Sequence, residues 1–262
     1  MPKFAANLTM LFTDVDFLDR FGRAAGAGFS GVEYLFPYQY DRRQLAELLQ
    51  QHRLTQVLHN LPAGDWSAGD RGVACDPRRR EEFEAGVERG IEYATALRCA
   101  QLNCLAGIVP KDLDAGEARA AFVENLRFAA RELQLARIKL LIEPINTRDI
   151  PGFFLTHTAQ AVEIIEEVRS DNLFLQYDAY HMQIMEGDLS FTVERLLPLI
   201  AHVQVADPPG RHEPGTGEIN FAFLFGLFDR LGYSGWIGCE YKPLGLTEEG
   251  LGWARQYLTC PT

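Results

Sequence analysis

Basic residues are too few in this chain to build a nucleic-acid surface. Lys and Arg number 25 against 36 Asp and Glu, a formal net charge of -11 at pH 7, and phosphate neutralisation by Lys and Arg supplies most of the affinity for polyanions. Cysteine is sparse and unpatterned: Cys75, Cys99, Cys104, Cys239 and Cys260 are odd in number and show no C-x-x-C spacing. A chain of this size needs no staples, so free thiols in a reducing, cytoplasmic compartment are expected. No apolar run is long enough to span a bilayer. The opening MPKFAANLTMLFTDVDF is interrupted at Asn7 and Thr9 and ended by Asp14 and Asp16, so it lacks the apolar core and cleavage site of a signal peptide. Neither G-x-G-x-x-G nor G-x-x-x-x-G-K-[ST] follows an early strand, which argues against a nucleotide cofactor. What these absences leave is a small-molecule protein without nucleic-acid or membrane partners.

What is present is a βα alternation. The 262 residues, 47% hydrophobic, suffice for one α/β barrel domain spanning residues 1–262. Eight short apolar runs read as strands: FAANL from Phe4, GVEYL from Gly31, TQVLHN from Thr55, QLNCLAG from Gln101, IKLLIEPIN from Ile138, NLFLQYDAYH from Asn172, LIAHVQVAD from Leu199 and GWIGCEYKP from Gly235. Helix-like patterns separate them and follow the last, among them PRRREEFEAGVERGIEYATALR, with Asp76 placed as N-cap and Pro77 at the first helical position. Eight strands and eight helices predict a closed (β/α)8 barrel, its strand interiors apolar to fill the barrel and its chemistry at the C-terminal ends of the strands. Two connections, LPAGDWSAGDRGVACDP after the third strand and PPGRHEPGTGE after the seventh, are long enough to cover that face. The aromatic segment FAFLFGLF from Phe221 would bury against the barrel or against a partner in a homo-oligomer.

The last four strands each carry a ligand-type residue at or just past their apolar stretch: Glu143, Asp178, Gln204 and Glu240. Three carboxylates and an amide oxygen form a hard donor set suited to Mg²⁺ or Mn²⁺, whereas zinc would recruit His or Cys. Such an ion polarises a carbonyl and an adjacent hydroxyl and so acidifies the C–H between them. Glu143 and Glu240, from the fifth and eighth strands, could then face two sides of a bound carbon skeleton, one removing a proton and the other returning it. His181, three residues beyond Asp178, is positioned to bond a substrate oxygen or to support the site from behind. Arg211 offers a planar fork for a substrate carboxylate, or pairs with Glu213 or Glu218 in its own loop. Glu218, in the same ionisable cluster beside Gln204, is grouped with His181 and Arg211 as a substrate-binding candidate. Asn7 and Glu33 read as structural support. His59 and Asn60 end the third strand, and His52, His157 and His202 have nothing to mark them as catalysts.

These motifs resemble the hydroxypyruvate isomerases of the xylose isomerase-like barrel superfamily nearly end to end: FAANL, FPY at Phe36, AGD at Ala63, IEPINTR at Ile142, QYDAYHMQIMEGDL at Gln176, HVQVADPPGRHEPGTGEIN at His202 and GCEYKPLGLTEEGL at Gly238. The resemblance implies a barrel that interconverts hydroxypyruvate and tartronate semialdehyde. In that pattern Glu143 and Glu240 are the proton-transfer pair, Glu143, Asp178, Gln204 and Glu240 hold a divalent metal, and the substrate is a small 2-oxo acid. A sibling branch isomerises four-carbon 2-oxo-tetronates and resembles the chain at both ends. EPINTR and HMQIMEGDL look more like the hydroxypyruvate branch, and His59 and Leu61 depart from both. Two readings of other classes are a non-catalytic, metal-dependent sugar-acid binding protein and a metal-dependent endonuclease. Intact Glu143 and Glu240 oppose the first, and the net charge opposes the second.

Overall fold

The expected alternation resolves into a closed ring of parallel strands. A computed structural model describes residues 2–258, so Cys260 lies outside the described residues. The strands are β1 (Lys3–Asn7), β2 (Gly31–Glu33), β3 (Thr55–Asn60), β4 (Gln101–Cys104), β5 (Lys139–Ile142), β6 (Leu173–Asp178), β7 (Ile200–Val205) and β8 (Trp236–Cys239). Each pairs in parallel with its sequence neighbour, and β8 closes on β1. All eight fall within the runs read as strands, extended by Lys3 at the start of β1. Buried on both faces, such strands lose the polar-apolar alternation of a half-exposed sheet.

The helices are α1 (Arg20–Gly26), α2 (Arg42–Gln51), α3 (Arg80–Leu97), α4 (Ala115–Leu135), α5 (Thr158–Val168), α6 (Ala179–Met185), α7 (Leu189–Leu196), α8 (Phe221–Arg230) and α9 (Thr247–Gly250). The starts of α2, α4, α6 and α8 are set by short polar side chains that accept otherwise unpaired first-turn amides. Asp41 accepts from the Arg43 and Gln44 N–H groups, Asp114 forms a capping box with Glu117, and Asn220 accepts from Phe223. Asp76 also caps, as expected, but over a 3-10 turn (Pro77–Arg79) that leads into α3. The last helical segment is broken into α9 and a 3-10 turn at Leu251–Ala254. α6, an addition to the eight expected helices, leaves β6 with no intervening loop. Of α8, Phe221, Leu224, Phe225, Leu227 and Phe228 are buried in the chain's own core.

The main apolar core lies between the strand ring and the helices. Inside the ring, the expectation of apolar filling holds in part. A small cluster of Ala5, Val57, Leu58 and Leu141, with Phe174, Ala201 and Trp236 against it, is apolar. Above it lies a polar layer: Asn7, Glu33, Asn103, Gln176, His202 and Gln204 are all buried. Burial of polar groups is tolerable where each finds a partner. Glu33 accepts from Asn7 Nδ2 at 3.0 Å, Gln204 Nε2 at 2.8 Å and His202 Nε2 at 2.7 Å. Room for this carboxylate comes from Gly238, where an added Cβ would collide with Glu33 Oε1.

Candidate active site

Register carries the four strand-end residues to one level. Asp178, the last residue of β6, pairs with Gln204 on β7, and Gln204 pairs with Gly238, two residues before Glu240. Glu143 and Glu240 follow the ends of β5 and β8 directly. One donor atom each from Glu143, Asp178, His181 and Glu240 lies within 4.8 Å of the others, and all four residues are buried. Among the described residues this is the group that could hold a metal ion. Gln204 stands beside it. Its oxygen accepts from Gln176 Nε2 at 2.6 Å and its amide donates to Glu33.

One oxygen of each outer glutamate is held from behind by an amide. Asn7 Nδ2 donates to Glu240 Oε1 at 3.2 Å, and Asn103 Nδ2 donates to Glu143 Oε2 at 3.0 Å. The second oxygens face inward: Glu240 Oε2 accepts from Arg211 Nη2 at 2.8 Å, and Glu143 Oε1 lies 3.9 Å from His181 Nε2. Asp178 is divided in the same way. Its Oδ1 accepts from the Tyr180 N–H at 2.8 Å and so caps α6, while its Oδ2 is buried with no hydrogen-bond partner.

Arg211 enters this cluster from the loop after β7. Its backbone is left-handed, with φ 57°, and the Lys242 N–H donates to its carbonyl at 2.8 Å. Behind it, Asp207 organises the loop by accepting from the Gly215, Gly217 and Ile219 N–H groups. The guanidinium lies 5.0 Å from the Tyr180 ring centroid, bonds Asp149 at 3.2 Å and lies 4.0 Å from Asp178 Oδ2. Its partners are therefore Glu240 and Asp149, in place of the Glu213 and Glu218 pairing considered from sequence. Glu213 turns to the Leu244 N–H. Glu218 is exposed and accepts from Gln183 Nε2 at 3.3 Å, outside the buried cluster.

Electrostatics follow from packing like charges out of water. Burial raises the Glu143 carboxyl well above the usual range, and the charges of Glu240 and Asp178 add to it. Burial also raises Glu240 and Asp178, with Arg211 pulling both back. Burial lowers the Arg211 guanidinium, but the carboxylates, Glu240 foremost, outweigh that and hold it cationic. Burial and then Arg211 hold His181 well below the ordinary imidazole value, as a neutral ring. Three buried carboxylates with an orphaned oxygen at their centre fit a divalent cation, which removes their repulsion.

Of the seven residues expected from sequence, the structure brings Glu143, Asp178, Glu240, His181 and Arg211 together, sets Gln204 beside them and leaves Glu218 outside. The sequence reading passed over Asn103, Gln176 and His202. A signal was there: Gln176, His202 and Gly238 each stand two residues before a residue expected at the site, and the period of two puts them on the same inward face. His59 is fully buried against Tyr38 and is not one of the four clustered residues. Burial lowers its pKa to about 3. Asn60 accepts from Asn103 Nδ2 at 3.2 Å and so joins the amide network. Apart from the cluster, a cavity of about 620 Å³ opens beside Phe36, Tyr38 and Trp66 in the loops after β2 and β3.

Comparison with known proteins agrees with this fold. A hydroxypyruvate isomerase of Escherichia coli is 52% identical, over 98% of this chain and 100% of its own length. A 2-oxo-tetronate isomerase of Cupriavidus necator is 46% identical over 98% and 99%. A crystal structure described as AP endonuclease, family 2, from Brucella melitensis superimposes with a TM-score of 0.97 at 47% identity, covering 99% of this chain and 100% of that one. A D-psicose 3-epimerase of Clostridium cellulolyticum, 17% identical with a TM-score of 0.79, shares the fold. The family model described as xylose isomerase-like TIM barrel matches residues 21–257, and the chain belongs to that family.

Proposed function

We propose that the protein is an isomerase that interconverts hydroxypyruvate and tartronate semialdehyde. The observation that carries this reading is the pair Glu143 and Glu240, two buried carboxylates with raised proton affinity, brought within 4.8 Å of Asp178 and His181. General acid and base catalysis at neutral pH needs carboxyls shifted in that direction. Glu143, Asp178 and Glu240 would hold Mg²⁺ or Mn²⁺, with the Gln204 oxygen as a fourth donor. When bound, the ion supplies polarisation of the substrate carbonyl and hydroxyl.

The chain's own residues divide the rest. One glutamate takes a proton from C3 of hydroxypyruvate, leaving an enediolate across C2 and C3. The other glutamate returns a proton to C2, while the hydroxyl proton passes from O3 to O2. No electrons leave the substrate, so no redox cofactor is called for. Amide donation from Asn7 and Asn103 fixes one oxygen of each glutamate and keeps the other facing inward. Arg211, cationic and hydrogen-bonded to Glu240, is the group suited to the substrate carboxylate. The relative of 52% identity bears the hydroxypyruvate name, and the 2-oxo-tetronate relative at 46% supports the four-carbon substrate as the second reading.

Proton NMR of hydroxypyruvate in D₂O, with metal-stripped and Mg²⁺-restored protein and a 2-oxo-tetronate in parallel, tests the proposal. Metal-dependent deuterium incorporation with formation of tartronate semialdehyde is expected. Faster turnover of the tetronate would transfer the assignment to the four-carbon branch. Absence of exchange with both substrates in metal-loaded protein would reduce the chain to a binder, and salt-sensitive cleavage of abasic DNA would replace the isomerase reading.

A further inference from the structure

We infer that Asn146 is a positioning residue that locks His181 in the tautomer carrying its proton on Nε2. The imidazole then meets substrate as a hydrogen-bond donor and stays out of the metal's coordination. This deepens the isomerase reading and rests on it for the substrate, while the tautomer rests on hydrogen-bond geometry alone.

Asn146 is fully buried in the turn that follows β5. Its side-chain oxygen accepts from two backbone N–H groups, Arg148 at 3.0 Å and Asp149 at 2.8 Å. An amide whose oxygen is committed to two donors cannot be turned over without breaking both bonds, so its Nδ2 points the other way. There it meets His181 Nδ1 at 2.6 Å, and the Asn146 backbone N–H lies 3.4 Å from the same nitrogen. Donors on Nδ1 require a lone pair there, which leaves the proton of the neutral ring on Nε2.

Nε2 is the nitrogen that faces the cluster, 3.5 Å from Asp178 Oδ2 and 3.9 Å from Glu143 Oε1. A ring nitrogen that carries a proton has no lone pair for a metal. Although His181 stands among the four clustered residues, it is therefore a donor aimed at the space where substrate oxygens gather, and the cation falls to the carboxylates. A fixed donor at the position where enediolate charge develops stabilises that charge without reorganisation.

The test is ¹⁵N NMR of histidine-labelled protein on the alkaline side of the imidazole titration, with His181 assigned from His181→Gln. The parent should show a bare Nδ1 and a protonated Nε2. In Asn146→Asp the carboxylate can keep both backbone bonds but offers His181 an acceptor. The proton should move to Nδ1, kcat should fall about 10²-fold with little change in KM, and Zn²⁺ affinity should rise about 10-fold as Nε2 becomes a ligand. If Asn146→Asp does not fold, Asn146→Ala serves, with both tautomers populated and a smaller loss of kcat. A proton on Nδ1 in the parent overturns the inference, and so does a reversed tautomer with unchanged kcat. Failure of the isomerase reading shows separately, as a parent inactive on both 2-oxo acids whose histidine spectrum is nonetheless as described.

Discussion

The inside of the barrel is two materials. Its lower part is the apolar cluster of Ala5, Val57, Leu58 and Leu141, which contributes as any core does, by removing carbon from water. Its upper part is a network of amides, carboxylates and imidazoles in which Asn7, Glu33, Gln204 and Gln176 pass hydrogen bonds from strand to strand. The first can lose atoms and keep its purpose. The second holds groups at fixed distances, and each bond it loses leaves a buried polar atom without a partner, at a cost of about 1–3 kcal/mol. On the proposed reading, stability and chemistry are assigned to different levels of the same eight strands.

The sharpest separation comes from the upper level. Glu143→Gln and Glu240→Gln are each expected to lower kcat by about 10²–10⁴-fold, because each removes one partner in proton transfer. Steady-state kinetics would check this, and near-normal turnover in either variant removes that residue from the role. The lower level should behave in the opposite way. Leu141→Ala, at a fully buried position, is expected to cost about 2–5 kcal/mol in urea unfolding, with kcat held near the parent value.

A cation should join the two levels energetically. Saturating Mn²⁺ at about 100 times its Kd adds about 2.7 kcal/mol to the folded state, read as a rise of several degrees in Tm. The sign of its pH dependence follows from the raised carboxyls of Glu143, Asp178 and Glu240. A group whose folded pKa is raised contributes stability below its unfolded pKa and loses it as pH rises through the folded value. Metal-free protein is thus penalised toward pH 8, and the Mn²⁺ gain should be larger there than at pH 5. An equal gain at both would show that the carboxylates are not the ligands.

The boundary between the levels runs through Gly238. A Cβ there would crowd Glu33, whose carboxylate holds Asn7, Gln204 and His202. Gly238→Ala should therefore cost about 1–3 kcal/mol and also lower kcat through the Asn7 to Glu240 bond. Loss of stability alone would separate the Glu33 network from the site.

The lower level and the strand ring were legible in the sequence because apolar runs of strand length, bounded by turn residues, have few other uses. The four strand-end ligand-type residues were legible for the same reason: three carboxylates and an amide stand out against valine and leucine. The amide network behind them was hidden because Asn103 and Gln176 gain their meaning from neighbours on other strands. α6 was hidden by its cap. QYDAYHMQIM contains no glycine or proline, so the run reads as continued strand, yet Asp178 ends β6 and starts the helix in one residue. Arg211 was found as a cation, but its partners were not, since Glu240 and Asp149 are far from it in the chain.

That double use of Asp178 makes the residue divisible. Its two oxygens serve different masters, one the Tyr180 amide and the other the orphaned position at the centre of the cluster. Asparagine at 178 would keep the first oxygen and surrender the second, so helix and scaffold would persist while the charge disappeared. Circular dichroism of Asp178→Asn should match the parent as Mn²⁺ affinity falls. A single side chain thus offers a clean cut between what shapes this barrel and what equips it.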